Sequence, residues 1–237
     1  MLLVVTARRV ELRVVGGDKQ LRGGRPLHVD AAALDTTSPA GRRLKQPIAK
    51  AVGLRRLKDL RASPPALIDT TAGWGADTFL LASLGCRVLT VERHKVVHTL
   101  LRDGLMRAAA QRPGAFGRIW LLHTDARAML RRMGGSNTLS DADLPDWTAP
   151  FFEPDVVYLD PMFPPRRGKG AESKAMRVLR RLVGDDADAE ATFHAARRVA
   201  KRRVVVKRPL RAEPLEGIEP TTTHKGKSMR YDVYVLQ

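Results

Sequence analysis

Short, β-rich apolar runs alternate with helical segments along this chain, and that alternation admits only one kind of sheet. The runs are Ala66–Asp69, Cys86–Arg93, Arg118–Asp125, Val156–Leu159 and Arg203–Pro209. Segments of helical pattern stand beside them at Thr78–Leu84, His94–Ala110, Ala126–Met133, Glu172–Val183 and Asp188–Lys201, the second with Val96, Val97, Leu100, Leu101 and Leu105 at helical spacing. Strands joined through a helix are carried back across the sheet and laid parallel, since a tight hairpin cannot connect them. Two further runs, Thr221–Lys225 and Tyr231–Leu236, meet around Gly226-Lys227-Ser228 and are expected to close the sheet as a hairpin.

In such a sheet, ligands bind in the crevice beyond the carboxyl ends of the strands, so the residues that stop each strand are the candidate chemistry. Val156-Val157-Tyr158-Leu159 stops at Asp160-Pro161-Met162-Phe163. That ending suits a flat heterocycle with an exocyclic amine, whose nitrogen is a poor nucleophile because its lone pair is spread into the ring. Asp160 offers a carboxylate, Pro161 a carbonyl with no N–H of its own, and Phe163 a face on which a base can stack. Asp and Pro are also common turn formers, so the tetrapeptide alone equally describes a plain strand end. Ala66–Asp69 runs into Thr70-Thr71-Ala72-Gly73-Trp74-Gly75-Ala76-Asp77, a two-glycine loop opening into a helix. There the backbone can approach a ligand closely and the first helical N–H groups lack partners, which makes Asp69, Gly73 and Gly75 candidates for cofactor contact. Glu92 closes the second strand at about the distance beyond the glycines where such folds set an acid on a ribose. Asp125-Ala126 follows the third strand. Asp125 either accepts from an adenine amino group or caps helix Ala126–Met133, and the two roles are compatible.

Lys and Arg number 42 against 25 Asp and Glu, a formal net charge of +17 over 237 residues. That imbalance favours a polyanionic partner, most simply nucleic acid. Arg166, Arg167 and Lys169 in the basic loop Pro164–Lys174, with Lys207 and Arg208 at the end of the fifth strand, are the expected contacts to a nucleic-acid backbone. The single cysteine, Cys86, excludes an internal disulfide framework, fits a reducing cytosol and is expected to pack in the core or at a strand edge. His94 and His98 lie one turn apart, but no other histidine or cysteine nearby in sequence completes a ligand set, and no metal is expected. Met1–Val5 is too short for a signal-peptide core or a membrane span, which leads to the expectation of a cytoplasmic protein. Residues 1–60 read as a small β-rich lobe with strands Leu2–Val5, Val10–Val15 and Leu27–Asp30 and a very basic helix from Arg42 to Arg61; residues 61–237 read as the main domain. Residues 134–154 are rich in Gly, Ser, Asp and Pro and form the longest loop.

Five strands alternating with helices and ending in a hairpin is the layout of the S-adenosylmethionine-dependent methyltransferases. A dinucleotide dehydrogenase would usually show a third glycine, where this chain has Ala76-Asp77-Thr78. Asp69-Thr70-Thr71-Ala72-Gly73 with Asp77-Thr78-Phe79, the block Leu81–Val88, Val91-Glu92-Arg93, Val157–Pro164, Met176-Arg177-Val178 and Arg203–Pro209 together resemble the RsmJ family of small-subunit ribosomal RNA guanine-N2 methyltransferases. The resemblance runs from about Ala49 to the last strand, and the first 40 or so residues match poorly. It implies an α/β, Rossmann-like class I methyltransferase domain with a mostly parallel seven-stranded sheet, helices on both faces and a small amino-terminal lobe. It also implies S-adenosylmethionine as cofactor, ribosomal RNA or the small ribosomal subunit as partner, and Asp160, Pro161 and Phe163 as the catalytic ending. Cofactor contacts carry over to Ala76, Asp77, Glu92, Arg93, Asp125, Ala126 and Asp160. Ala76 stands where the family often has arginine, leaving a backbone contact only, and Asp125-Ala126 replaces a Ser-Ser type pair. Adenine-N6 or glutamine-amide methylation uses similar strand ends, and a non-catalytic RNA-binding protein with the same fold is the alternative of another class.

Overall fold

The computed structural model describes residues 1–16, 21, 24–31, 46–54, 64–111, 113–135, 153–163 and 172–236. A hairpin of β1 (Leu2–Val5) and β2 (Val10–Arg13) precedes a sheet of seven strands: β3 (Ala66–Asp69), β4 (Arg87–Val91), β5 (Ile119–Leu122), β6 (Val156–Leu159), β7 (Arg203–Pro209), β8 (Thr222–Lys225) and β9 (Met229–Val235). The order across the sheet is β5-β4-β3-β6-β7-β9-β8. From β5 to β7 every pairing is parallel, and β9 runs antiparallel between β7 and β8. The chain builds outward from β3 to β5, then crosses over to lay β6 on the other side of β3. A crevice opens where the order reverses, at the carboxyl ends of β4, β3 and β6.

Successive residues of each buried strand serve opposite faces. Ile68, Leu89, Val157 and Val204 pack under α5 (Ala126–Met133) and α7 (Ala189–Val199). Leu67, Val88, Tyr158 and Val205 face the other way, under α1 (Pro47–Ala51) and α2 (Ala76–Ser83). Because both faces are covered, these strands read as unbroken apolar runs. Cys86, at the turn from α2 into β4, is fully buried in this second layer, and burial pushes its thiol up to about 12, so it stays a neutral packing group at neutral pH. Among the described residues no helix is long and apolar enough to cross a membrane.

The first 60 residues depart from expectation in two places. The third strand at Leu27–Asp30 shrinks to one bridge, Leu12 to Leu27. The basic helix drawn from Arg42 to Arg61 is, in its described part, only α1: Gly53 at φ +88° turns the chain out of the helix. Arg203 explains the glycine, since its guanidinium donates to the Ala51 carbonyl at 3.1 Å and a Cβ on Gly53 would sit 3.0 Å from it. Ile48, Ala49, Ala51 and Val52 are buried with the sheet and not with the hairpin. Most of the cations expected on that helix, at 42–45 and 55–61, lie outside the described residues, as do the 136–152 stretch of the long loop and Arg166, Arg167 and Lys169.

The hairpin and the segment after it dock on α3 (Lys95–Gln111), which the short α4 (Pro113–Phe116) follows, and there Leu12 and Val29 join Phe79, Leu100 and Leu101 in one cluster. Gly104, in the middle of α3, makes that approach possible: a Cβ there would lie 2.5 Å from Val29 Cγ1 and 3.0 Å from the Val29 carbonyl oxygen. Glycine inside a helix costs about 1 kcal/mol relative to alanine, so an isolated α3 would gain from the exchange. Docking reverses the sign. Gly104→Ala is expected to destabilise the protein by up to about 2 kcal/mol, from overpacking of about 1–3 kcal/mol less the helix gain of about 1 kcal/mol. Urea denaturation checks this, and a stabilised variant would mean that Val29 does not press on α3.

Candidate functional site

The crevice holds a cavity of about 530 Å³. Eight of the nine residues between Asp69 and Asp77 reach it or flank it; Asp69, Gly73, Ala76 and Asp77 are in its wall, and Gly75 is not. Gly75 is instead a packing glycine. Its φ of +80° starts α2, and a Cβ would lie 2.6 Å from Leu101 Cδ1 and 2.9 Å from Phe79 Cε2. What the structure gives Gly75 is a turn at positive φ pressed against Leu101 and Phe79, which glycine makes without strain.

Asp69 also acts inward. One carboxylate oxygen accepts from the Thr71 N–H at 3.1 Å and the other from the Thr78 hydroxyl of α2, and burial pushes the acid up to about 7 against those donors. Glu92, one residue past β4, ties down the glycine loop. Its Oε2 accepts from the Gly73 N–H at 3.1 Å and its Oε1 from the His94 N–H at 2.7 Å, while burial raises its pKa. Each oxygen keeps one lone pair for a ligand hydroxyl in the cavity. Asp125 caps α5 by accepting from the Ala128 N–H at 2.9 Å, and with Ala126 it also lines the cavity, so both roles weighed for it coexist geometrically.

On the opposite wall stand Tyr158, Asp160, Pro161 and Phe163. Two hydrogen bonds fasten this wall to the glycine loop: the Asp160 N–H donates to Thr71 Oγ1 at 2.6 Å, and Thr70 Oγ1 donates to the Tyr158 carbonyl at 2.9 Å. Lys207 stands directly beside Asp160, because the parallel rung Leu159–Val206 makes them the next pair along. Its Nζ lies 2.8 Å from Asp160 Oδ2 and 2.8 Å from Asp77 Oδ2, and the Tyr158 hydroxyl donates to the same Asp77 oxygen at 2.6 Å. Burial pushes the Asp160 carboxyl up, Lys207 pulls it back and Asp77 adds to the rise, leaving it at about 6. Burial alone would lower Lys207; the two carboxylates more than offset this and raise it. Asp160 Oδ1 has no protein donor among the described residues.

Both cations expected to lie on RNA phosphates at the end of β7 are turned inward. Lys207 is held by two carboxylates. Arg208 is buried, donates to the Glu213 carbonyl, and stacks its guanidinium 4.4 Å from the centre of the Phe163 ring. One face of Phe163 is therefore taken by a cation, and a base can stack only on the other. The Phe163 carbonyl accepts from Arg180 of α6 (Lys174–Val183) at 2.5 Å, which holds the turn from behind.

The two walls share a further acid that no motif announced. Asp186 accepts from the Met162 N–H at 2.6 Å through Oδ2 and pairs with Arg93 through Oδ1, while Asp188 pairs with the same guanidinium at 3.0 Å. Arg93 thus lines the cavity with its charge already committed to the loop before α7. Tyr158 was readable only as an apolar strand residue, yet a phenol buried this fully requires an acceptor, and the nearest acid past the glycine loop supplies one. For Lys207 the available signal was register: two strand ends of opposite charge on neighbouring parallel strands.

A sequence-family model described as "Putative SAM-dependent methyltransferase" matches residues 1–236, so the likeness extends through the hairpin lobe and not only from Ala49 onward. A protein named ribosomal RNA small subunit methyltransferase J from Thioalkalivibrio sulfidiphilus is 48% identical over 190 residues, spanning 80% of this chain and 68% of its own length. Proteins of the same name from Coxiella burnetii and Photobacterium profundum are 40% identical over 100% of this chain and 84% of theirs, and 43% identical over 98% of this chain and 85% of theirs. The crystal structure of a SAM-dependent methyltransferase from Neisseria gonorrhoeae superposes with a TM-score of 0.65 at 36% identity, covering 96% of this chain and 79% of that one.

The support of the glycine loop can be tested through Asp69. Its folded pKa of about 7 lies above the ordinary 3.8 of an aspartate, so its contribution to stability is fully present below the lower value and is lost as pH rises through the upper one. Thr78→Val removes the hydroxyl that steadies the ionised form while keeping the shape. It is expected to cost about 1–3 kcal/mol at pH 8, where the carboxylate is left short of a donor, and clearly less at pH 5. Denaturant titrations at the two pH values compare them; equal losses would show that Thr78 does not act on the carboxylate.

Proposed function

Since the chain belongs to the SAM-dependent methyltransferase family matched across residues 1–236, we propose that it transfers a methyl group from S-adenosylmethionine to the exocyclic N2 amine of a guanine in small-subunit (16S) ribosomal RNA. The substrate class follows the relatives named ribosomal RNA small subunit methyltransferase J, 40–48% identical to this chain. The observation that carries the amine is Asp160, whose Oδ2 is anchored by Lys207 while Oδ1 stays open in a cavity that the Pro161 carbonyl and the Phe163 ring also line. The partner is the ribosomal RNA or the small subunit, and the compartment is the cytoplasm.

The wall of the cavity suits the cofactor by chemistry. S-adenosylmethionine is a cation rich in donors, with two ribose hydroxyls, an adenine amine and an α-ammonium. The cavity offers acids from three strand ends, Asp69, Glu92 and Asp160, with Asp77, Asp125 and Asp186 around them. Glu92, with one lone pair left on each oxygen, would hold the ribose, and Asp125 with Ala126 would border the adenine. Gly73, fixed by Glu92, and Ala76 and Asp77 at the start of α2 would carry the amino-acid end. When bound, the cofactor supplies an electrophilic methyl carbon on a sulfonium.

The chain's own residues do the rest by placement. Asp160 Oδ1 and the Pro161 carbonyl accept the two amine hydrogens and so aim the nitrogen lone pair across the cavity. Phe163 holds the base plane on its free face. Orientation of this kind supplies most of the rate gain in a direct transfer. As the nitrogen gains its new bond it sheds one proton, which Asp160 takes late. A paired guanine buries this edge in its helix, so the base enters unpaired or extruded.

Methyl transfer is expected to fall as pH drops through about 6, where Asp160 takes up a proton and stops accepting from the amine. Asp160→Ala should lower the transfer rate by about 10²–10⁴-fold while affinity for S-adenosylmethionine, measured by calorimetry, changes far less. Glu92→Gln has the opposite profile. It leaves one of two backbone N–H groups without an acceptor and weakens cofactor binding by about 5- to 150-fold, at about 1–3 kcal/mol. Mapping N2-methylguanine base by base in 16S RNA from cells with and without the gene tests the substrate, and an unchanged guanine pattern beside a lost N6-methyladenine would redirect the assignment to adenine.

A further inference from the structure

Among the described residues Lys207 is the one ammonium set between two carboxylates of the cavity wall, and the transfer steps above give it no part beyond its contact with Asp160 Oδ2. Its side chain is 19% exposed, and the Asp160 side chain beside it is 31% exposed. Asp77 shares its Oδ2 between Lys207 and the Tyr158 hydroxyl, so the cluster holds two acids, one phenol and one cation. Tyr231 of β9 stands against the same group, and burial keeps its phenol neutral up to about 12. Asp186 faces Asp160 from the loop before α7 with its own charge paired to Arg93. The only cation in contact with Asp160 among the described residues is thus Lys207.

We propose that Lys207 is a positioning residue for methyl transfer: it keeps Asp160 ionised and pins Oδ2, so that Oδ1 alone is presented to the target amine. The proposal rests on the reading of Asp160 as the amine acceptor. A carboxylate free to rotate would present either oxygen and could turn toward Tyr158 or the Met162 turn; a carboxylate with one oxygen held 2.8 Å from an ammonium has one left and a set direction. A buried acid next to a second acid would also hold its proton near neutral pH unless a cation lay between them. Asp77 then has a defined part. It shares Lys207 with Asp160, which leaves Asp160 basic enough to receive the amine proton, whereas an ammonium devoted to Asp160 alone would depress it further.

The test uses the full chain with Lys207→Met and Asp77→Asn, and reads Asp160 directly by ¹³C carboxyl titration, its signal assigned by loss in Asp160→Asn. In Lys207→Met the Asp160 midpoint should rise by roughly one unit or more, and in Asp77→Asn it should fall. The acid limb of single-turnover methyl transfer should move in the same directions, with Lys207→Met slow at pH 7 and recovering toward wild type at pH 9. A midpoint that ignores both substitutions, or a rate loss in Lys207→Met that is uniform across pH, overturns the proposal. Should Lys207→Met fail to fold, Lys207→Gln, which keeps a polar donor of similar reach without the charge, is titrated in its place, and an Asp160 midpoint left at the wild-type value overturns the proposal. Titration needs no substrate, so the two readings separate: if the wild type leaves guanine unmethylated while the midpoint follows both variants, the substrate assignment fails and the control of Asp160 by Lys207 stands.

Discussion

A parallel sheet delivers every strand-end side chain to one edge, and in this protein the edge is crowded with acids. Asp69, Glu92 and Asp160 arrive there from three neighbouring strands, and Asp77 and Asp186 close in from a helix start and a loop. A chain with a formal charge of +17 has thus gathered negative charge in the crevice where the proposed cofactor, a donor-rich cation, would sit. Concentrated carboxylates repel each other and lose hydration, so each needs its own partner. The partners differ, and the difference assigns the work. Asp69 is met by a hydroxyl and an amide and supports the loop. Glu92 is met by two amides and keeps acceptor capacity. Asp160 is met by an ammonium on one oxygen only.

The same shortage of partners couples the two walls. Asp186 accepts from the Met162 N–H with one oxygen and holds Arg93 with the other, and Arg93 follows Glu92 directly. Thr71 lies in the glycine loop yet carries the backbone of Asp160. Through these two ties, the residues that would hold a cofactor and those that would hold a base share a rigid frame of short hydrogen bonds, with the cavity between them.

The strand and helix runs were legible because both faces of the sheet are buried, which leaves apolar stretches that polar loops punctuate cleanly. Asp160, Glu92 and Asp125 could be located because a strand end in a parallel sheet is a functional address. Three kinds of fact stayed out of reach. Gly75 and Gly73 look alike in a glycine loop, and only the packing of Leu101 and Phe79 shows that one is steric and the other lines the site. Lys207 and Arg208 looked like phosphate contacts because charge alone says nothing of direction; their partners, Asp160 and Phe163, lie about 45 residues earlier in the chain. The helix drawn through Gly53 failed because a lone glycine among apolar and basic residues can continue a helix or end it, and here it takes a positive φ and ends it.

The place of β9 has a consequence for how such a sheet comes together. β9 is synthesised after β8 yet lies inside it, with seven rungs against β7 from Arg203–Val235 to Pro209–Met229. Until β9 is available, β7 presents an open row of backbone donors and acceptors, an edge prone to pairing with the wrong chain. β8 reaches the sheet only through β9, its partner in a local hairpin. The strand that carries the site's ammonium is therefore the last of the parallel set to be covered, and the binding crevice matures late, after the nascent polypeptide has folded back upon itself.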